Sequence, residues 1–257
     1  MKQLESFICL VICLLFVHCE GAQIKSNVGA HHSQYVTSEE TWTNPYVTDG
    51  LVAMWDGEWN VGIGKHDGAS TTWVDLSGNG FDVSSSNLRW IDKALDDTTS
   101  NLRFDLGDLG CKNGITVEAV VTCPNARTNG MIVDFYNHVD LGMSMSTTTM
   151  ASPFAIRMSV RNSSISYSGY PPAHDFMCSS ACTWTGDICR FYFFGSFDRY
   201  VSTTYVPPPC YFFLGSSVAT YQNFRGYVHC IRVYDRALSE EEIAFNYSID
   251  QERFEIP

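Results

Sequence analysis

The chain has 257 residues, 45% of them hydrophobic and 14% aromatic, which is enough apolar material for one sizeable core, and all-β sandwiches of this length commonly form a single domain. Its formal net charge is −12 with the 16 Lys and Arg residues scattered, which argues against a nucleic-acid partner, because neutralising phosphates requires clustered cations. An acidic balance of this kind is compatible both with simple solubility and with cation binding.

In chain order, residues 1–21 read as a secretory signal peptide. Lys2 lies in a short polar start, an apolar run follows from Phe7 to Val17, and small residues at Cys19 and Gly21 are placed for cleavage before Ala22. The run is too short to span a bilayer comfortably, and no other segment is apolar for long enough to cross one. Residues 22–45 form a polar lead-in that ends at Asn44-Pro45. From residue 46 to residue 257 the pattern changes to short apolar runs broken by turn residues.

Twelve strands are predicted: Leu51–Trp55, Phe81–Val83, Asn101–Phe104, Ile115–Thr122, Met131–Tyr136, Leu141–Met145, Phe154–Val160, Ser164–Tyr167, Cys189–Gly195, Tyr200–Tyr205, Tyr211–Gly215 and Val228–Tyr234. Many short strands with almost no helical periodicity define an all-β, antiparallel β-sandwich. Ser168 to Asp187 lacks alternation, contains Pro171-Pro172 and two cysteines, and reads as a long loop held by a disulfide. Only one helix is expected, Glu240 to Tyr247. Ser239 is its N-cap, Glu242 the capping-box partner, and Leu238 with Ile243 the hydrophobic staple.

Behind a signal peptide, the seven cysteines Cys111, Cys123, Cys178, Cys182, Cys189, Cys210 and Cys230 predict disulfides, with one thiol left over. The spacing of Cys178, Cys182 and Cys189 is not that of a zinc knuckle. Asn162-Ser-Ser and Asn246-Tyr-Ser are glycosylation acceptors if the source glycosylates exported proteins.

The segment Arg232-Val-Tyr-Asp-Arg-Ala-Leu-Ser-Glu-Glu-Glu-Ile resembles the closing strand and helix of laminin-G-like, concanavalin A-like lectin/glucanase jelly-roll domains. Thr48-Asp-Gly-Leu-Val-Ala-Met-Trp-Asp-Gly and Trp73-Val-Asp-Leu-Ser-Gly-Asn-Gly-Phe-Asp resemble the opening strand and following loop of the same family. The resemblance covers about Tyr46 to Phe254 and implies a concanavalin A-like jelly roll with a short C-terminal helix. That fold hosts lectins, glycosidases and adhesion modules, so function must be argued from the site.

Three groups of residues carry candidate chemistry. Asp75, Asn79 and Asp82 place oxygen-bearing side chains around Gly78 and Gly80, as a calcium loop does, although the same residue types also make ordinary turns. The resemblance implies calcium binding at such a loop with help from a later Asp, but that place holds His229 here. Trp59, Trp184 and Tyr170 lie in irregular sequence and could offer flat faces to sugar rings. Glu118 is the closest approach to a catalytic carboxylate. No second carboxylate follows on its strand, as retaining glycoside hydrolysis on this fold would require.

These features predict a secreted or cell-surface, noncatalytic module that binds a glycan or glycoprotein, with calcium as a candidate cofactor. The alternatives are a glycoside hydrolase whose carboxylates come from different strands and a structural module of a surface assembly.

Overall fold

The computed structural model describes residues 40–98, 102–122, 130–136, 142–148, 155–160, 166–169, 177–202, 211–215 and 224–256. Among them the chain forms sixteen strands, numbered in chain order, and one helix, α1 (Glu240–Phe254). One sheet runs in the order β14 (Ser196–Ser202), β13 (Ile188–Phe193), β12 (Met177–Thr185), β7 (Ile115–Thr122), β16 (Tyr227–Tyr234), β5 (Ala94–Asp96) and β4 (Trp90–Ile91), with β1 (Leu51–Asp56) also paired to β16. A second sheet runs β11 (Ser166–Gly169), β10 (Ala155–Val160), β9 (Gly142–Thr148), β8 (Gly130–Tyr136), β15 (Tyr211–Gly215) and β6 (Arg103–Asp108). A small ribbon joins β2 (Thr72–Trp73) to β3 (Val83–Ser84). The strand pairs are antiparallel, as the predicted jelly-roll sandwich requires.

Alternation along each strand builds the core. Val117, Ala119 and Val121 of β7, Ile231 and Val233 of β16, and Ala53 and Trp55 of β1 turn one way, into a cluster that includes Val133 and Phe135 of the second sheet. The other face of the first sheet is covered by α1, through Met54, Val120 and Cys230 against Phe254 and Ile256, and through Ala181, Tyr192 and Tyr234 against Leu238 and Ile243. The capping box at Ser239 and Glu242 is formed as expected, with the Glu242 amide donating to Ser239 Oγ at 3.2 Å and the Ser239 amide to Glu242 Oε2 at 2.8 Å.

The predicted strands Leu51–Trp55, Ile115–Thr122, Met131–Tyr136, Tyr211–Gly215 and Val228–Tyr234 each match an observed strand to within a residue at either end. The expected Ser168–Asp187 loop requires correction. Met177–Thr185 is a nine-residue strand between β7 and β13, and Cys178 through Trp184 are all buried. Both of its faces are covered, one by the sandwich core and one by α1, so Cys-Ser-Ser-Ala-Cys-Thr-Trp shows no alternation to read. Its cysteine neighbours form a cross-strand pair, Cys182 and Cys189, with sulfurs 3.2 Å apart as separate thiols. Strand pairing to β7 and β13 organises this segment. Cys123 and Cys210 lie outside the described residues.

Helix α1 continues about two turns beyond the predicted Tyr247. Its buried positions, Ile243, Asn246, Asp250 and Phe254, keep helical spacing, but two of the four are polar, which hides the period from a hydrophobic reading. Asn246 is fully buried, so its sequon is closed to glycosylation in the folded chain. The last part of the predicted lead-in is tied down too. Thr41 bridges Ile63, and the Trp42 amide donates to the Gly62 carbonyl at 3.0 Å.

Candidate functional site

The Asp75–Asp82 turn is organised by its own side chains. Asp75 is buried; its Oδ1 accepts from the Met54 and Ser77 amides, and its Oδ2 from Ser77 Oγ and the Phe81 amide, all between 2.8 and 3.0 Å. Asp82 Oδ1 accepts from the Asp75 amide at 2.8 Å, and Asn79 Nδ2 donates to the Val52 carbonyl at 2.8 Å. Asp75 and Asp82 are thus brought together with Asn79, but as a clamp that holds the turn against β1. Four hydrogen bonds fill the acceptor positions of one carboxylate. A hard cation needs oxygen lone pairs turned toward it, and Asp75 offers none in this arrangement. Among the described residues no group of three or more His, Cys, Asp or Glu is gathered for a metal.

The aromatic candidates separate. Trp184 is 2% exposed and belongs to the core between the sheets, so its ring has no face open to a ligand. Tyr170 lies outside the described residues. Trp59 is half-buried and packs on Trp42, with ring centroids 5.6 Å apart, and Lys65 Nζ lies 5.9 Å from the Trp59 ring centre. Arg253 in turn stacks over Trp42 at 5.2 Å and over Phe254 at 4.8 Å. A cluster of rings and cations therefore runs from the half-buried Trp59 to the buried Phe254 at the end of α1.

Beneath α1 lies a buried ion network. Arg232 of β16, 1% exposed, donates through Nε to Glu118 Oε2 and through both terminal nitrogens to the Asp250 carboxylate, each at 2.7 Å. Asn246 Nδ2 donates to the same Glu118 oxygen at 2.8 Å, and Tyr46 Oη to Asp250 Oδ1 at 2.9 Å. Burial raises the Glu118 proton affinity, while Arg232 opposes that shift. Burial also works against the Arg232 charge, but Asp250 and Glu118 outweigh it and hold the guanidinium protonated. Glu118 is therefore the ion-paired anchor of a helix, closed off from any substrate by that helix. A second arginine, Arg253, grips Asp56 and Glu58 at 2.7 to 3.2 Å and links α1 to the chain after β1.

The same edge of α1 frames a cavity of about 310 Å³, walled by the β4–β5 turn, Met177, Tyr227, His229 and the last residues of the helix. His229 reaches it because β16 carries a β-bulge there: Val228 pairs with Val121 and Cys230 with Val120, which leaves His229 as the extra residue. A bulge re-aims its side chain, and here the ring packs against Phe254 with centroids 5.7 Å apart. His229 Nε2 and Thr122 Oγ1 are hydrogen-bonded at 2.9 Å. Burial lowers the proton affinity of the ring to a pKa of about 4, the Lys93 main chain opposing this only in part. The imidazole is neutral at neutral pH. Sequence reading missed this cavity because its walls come from four separated segments; the one local trace was His229, noted only as a departure from the family's Asp.

The family follows from this architecture and from a direct match. A model of the concanavalin A-like lectin/glucanase superfamily, of laminin-G type, matches residues 96–244, and the chain belongs to that superfamily. Among solved structures, the sialidase of Trypanosoma rangeli bound to sialic acid shares the fold with a TM-score of 0.60 at 13% identity. That match covers 79% of this chain and 33% of the sialidase, so the chain spans about a third of that enzyme's length. Domain 4 of AbnA, a GH43 extracellular arabinanase from Geobacillus stearothermophilus, in complex with arabinotriose, gives a TM-score of 0.56 at 18% identity and covers 76% of this chain and 96% of that domain. At such identities the likeness is one of fold. Among curated proteins, none matches the sequence.

Proposed function

We propose that the protein is an exported, noncatalytic recognition module that binds glycans, free or on glycoproteins, with the helix-bearing side of its sandwich. The observation that carries this reading is the cluster in which the half-buried rings of Trp59 and Trp42 meet the Lys65 and Arg253 cations, beside a cavity. Sites of this kind suit sugars, whose C–H faces pack on rings while hydroxyls meet fixed polar groups. A laminin-G-type jelly roll supports the reading, as does the near full-length likeness to an arabinotriose-bound domain.

The noncatalytic part rests on the carboxylates. Glycoside hydrolysis uses two carboxyl groups facing an open cleft. Glu118 and Asp250 are instead buried between the sheet and α1, and both are ion-paired to Arg232. A glycan array probed with the chain from residue 22 onward, with and without calcium, tests the reading. Saturable binding to a defined set of glycans is expected, and Trp59→Ala should weaken it. An array with no binder would overturn it.

A further inference from the structure

Which sugars such a module would take is written in the charges around the cavity. Its interior is largely apolar: Phe254 and the neutral His229 ring form the floor, and Tyr227, Met177, Ala94 and Ile91 the sides. Ile91 is 46% exposed at the rim, an apolar side chain left in water beside a concave site. A volume of about 310 Å³ lies at the lower end of small-molecule sites, which suits a single ring and not a chain of them.

Both cations at the cavity are already engaged. Lys93 Nζ lies 3.4 Å from Glu58 Oε1, and Arg253 is held by Asp56 and Glu58. The carboxylates are not. Asp92 in the β4–β5 turn and Glu255 at the C-cap of α1 are exposed at the cavity, and among the described residues neither is in an ion pair. Both adopt left-handed backbone conformations, with φ of 50° and 55°. That geometry makes the tight β4–β5 turn and the helix stop, and so fixes the main chain that carries each carboxylate. Counting the partners Asp56 and Glu58 with Asp92 and Glu255, four carboxylates face two cations at this end of α1, on a chain of net charge −12.

From this arrangement we infer that the cavity at the end of α1 seats one uncharged sugar ring, its C–H face on the half-buried Tyr227 ring and its hydroxyls donating to Asp92 and Glu255. The inference rests on the glycan-binding reading above and narrows it to neutral saccharides, pentoses or hexoses without a carboxylate, sulfate or phosphate. Acidic sugars would meet two unneutralised carboxylates at short range. A cationic ligand is disfavoured for a different reason: the Phe254 ring that would attract it already carries the Arg253 guanidinium at 4.8 Å.

The experiment uses saturation-transfer NMR and calorimetry with free arabinose, galactose, glucose and N-acetylglucosamine, beside sialic acid, glucuronic acid and choline. The wild type should bind at least one neutral sugar and neither acid nor choline. Tyr227→Ala and Glu255→Lys should each weaken that binding at least tenfold, whereas Phe197→Ala, on the exposed edge strand β14, should leave it unchanged. Matching near-ultraviolet circular dichroism of all variants shows that each is folded. Neutral-sugar binding that survives both cavity variants would overturn the cavity assignment and leave the glycan-binding reading standing. Preference for an acid or for choline would overturn the assignment as well. Binding of none of these ligands, together with an empty glycan array, would overturn both.

Discussion

The two faces of the eight-stranded sheet are built from the same strands by opposite means. Toward the sandwich interior β7 and β16 present Val117, Ala119, Val121, Ile231 and Val233; toward α1 they present Glu118, Val120, Cys230, Arg232 and Tyr234. The inner face is held by apolar burial, which is non-directional and tolerates many similar sequences. The outer face is held by a few charges that must meet in one geometry. A buried ion pair is weak evidence for net stability but strong evidence that breaking it is costly. Here it fixes where the end of α1 falls, and hence the shape of the cavity between α1 and the β4–β5 turn.

The sharpest way to break that comparison is to remove one partner from the network. Arg232→Met leaves Glu118 and Asp250 buried without a cation and should cost about 3–5 kcal/mol by urea denaturation. Replacing all three at once, as Arg232→Met, Glu118→Leu and Asp250→Leu, should recover most of that loss. If the single and triple variants were equally unstable, the outer face would depend on packing alone.

A second effect, of a few kcal/mol, comes from Asp97, a buried residue at the inner side near Leu102. Burial raises its pKa from 3.8 to about 7, while the Leu102 amide, donating to its side chain at 3.1 Å, opposes that shift in part. The unfolded chain releases this proton first, so Asp97 lowers stability progressively as pH rises from about 4 to about 7. His229 acts in the opposite direction. Its lowered pKa means that the unfolded state binds a proton first on acidification, so its contribution to stability is lost as pH falls from 6.5 to about 4. Asp97→Asn should therefore raise the denaturation midpoint at pH 8, leave it unchanged near pH 4, and expose a rise between the two that belongs to His229. Parallel pH profiles for the wild type and the variant would contradict this.

The contrast between the faces also explains what the sequence made legible. The strands whose inner residues alternate with turn-bounded polar ones, such as Ile115–Thr122 and Val228–Tyr234, were readable to within a residue. The helix start was readable because capping is a local code. Strand β12 was not, because both of its faces are buried and period two vanishes. The end of α1 was not, because Asn246 and Asp250 replace apolar residues on its buried side. Of the candidate site, Trp59 lies at the surface with Trp42, while Trp184, on the unread strand, went to the core. His229 and Arg253 had no local signature: a bulge and a long-range ion pair exist only once distant segments have met.

The Asp75 turn gives a smaller effect. Asp75→Ala removes four hydrogen bonds, three within the turn and one from the Met54 amide of β1, and should destabilise the domain by about 2 kcal/mol, since buried donors are left unsatisfied. Melting curves of the wild type in millimolar calcium and in chelator test the calcium expectation for the same loop. Calcium binding there requires the ion to displace these donors, so a concentration-dependent rise in melting temperature would show that the clamp opens, and coincident curves would leave it a structural turn. The smallest effect is Ser239→Ala, which removes the N-cap and should cost about 1 kcal/mol, read as a shifted denaturation midpoint.

The most direct test of recognition without catalysis follows binding and turnover in one sample. The purified protein is titrated with the strongest glycan from the array while the same mixture is assayed for new reducing ends over many hours. Saturable heat with the glycan recovered intact is the predicted result. Release of reducing ends that scales with protein concentration and persists after repurification would contradict the account and place a catalytic carboxylate pair outside the network held by Arg232.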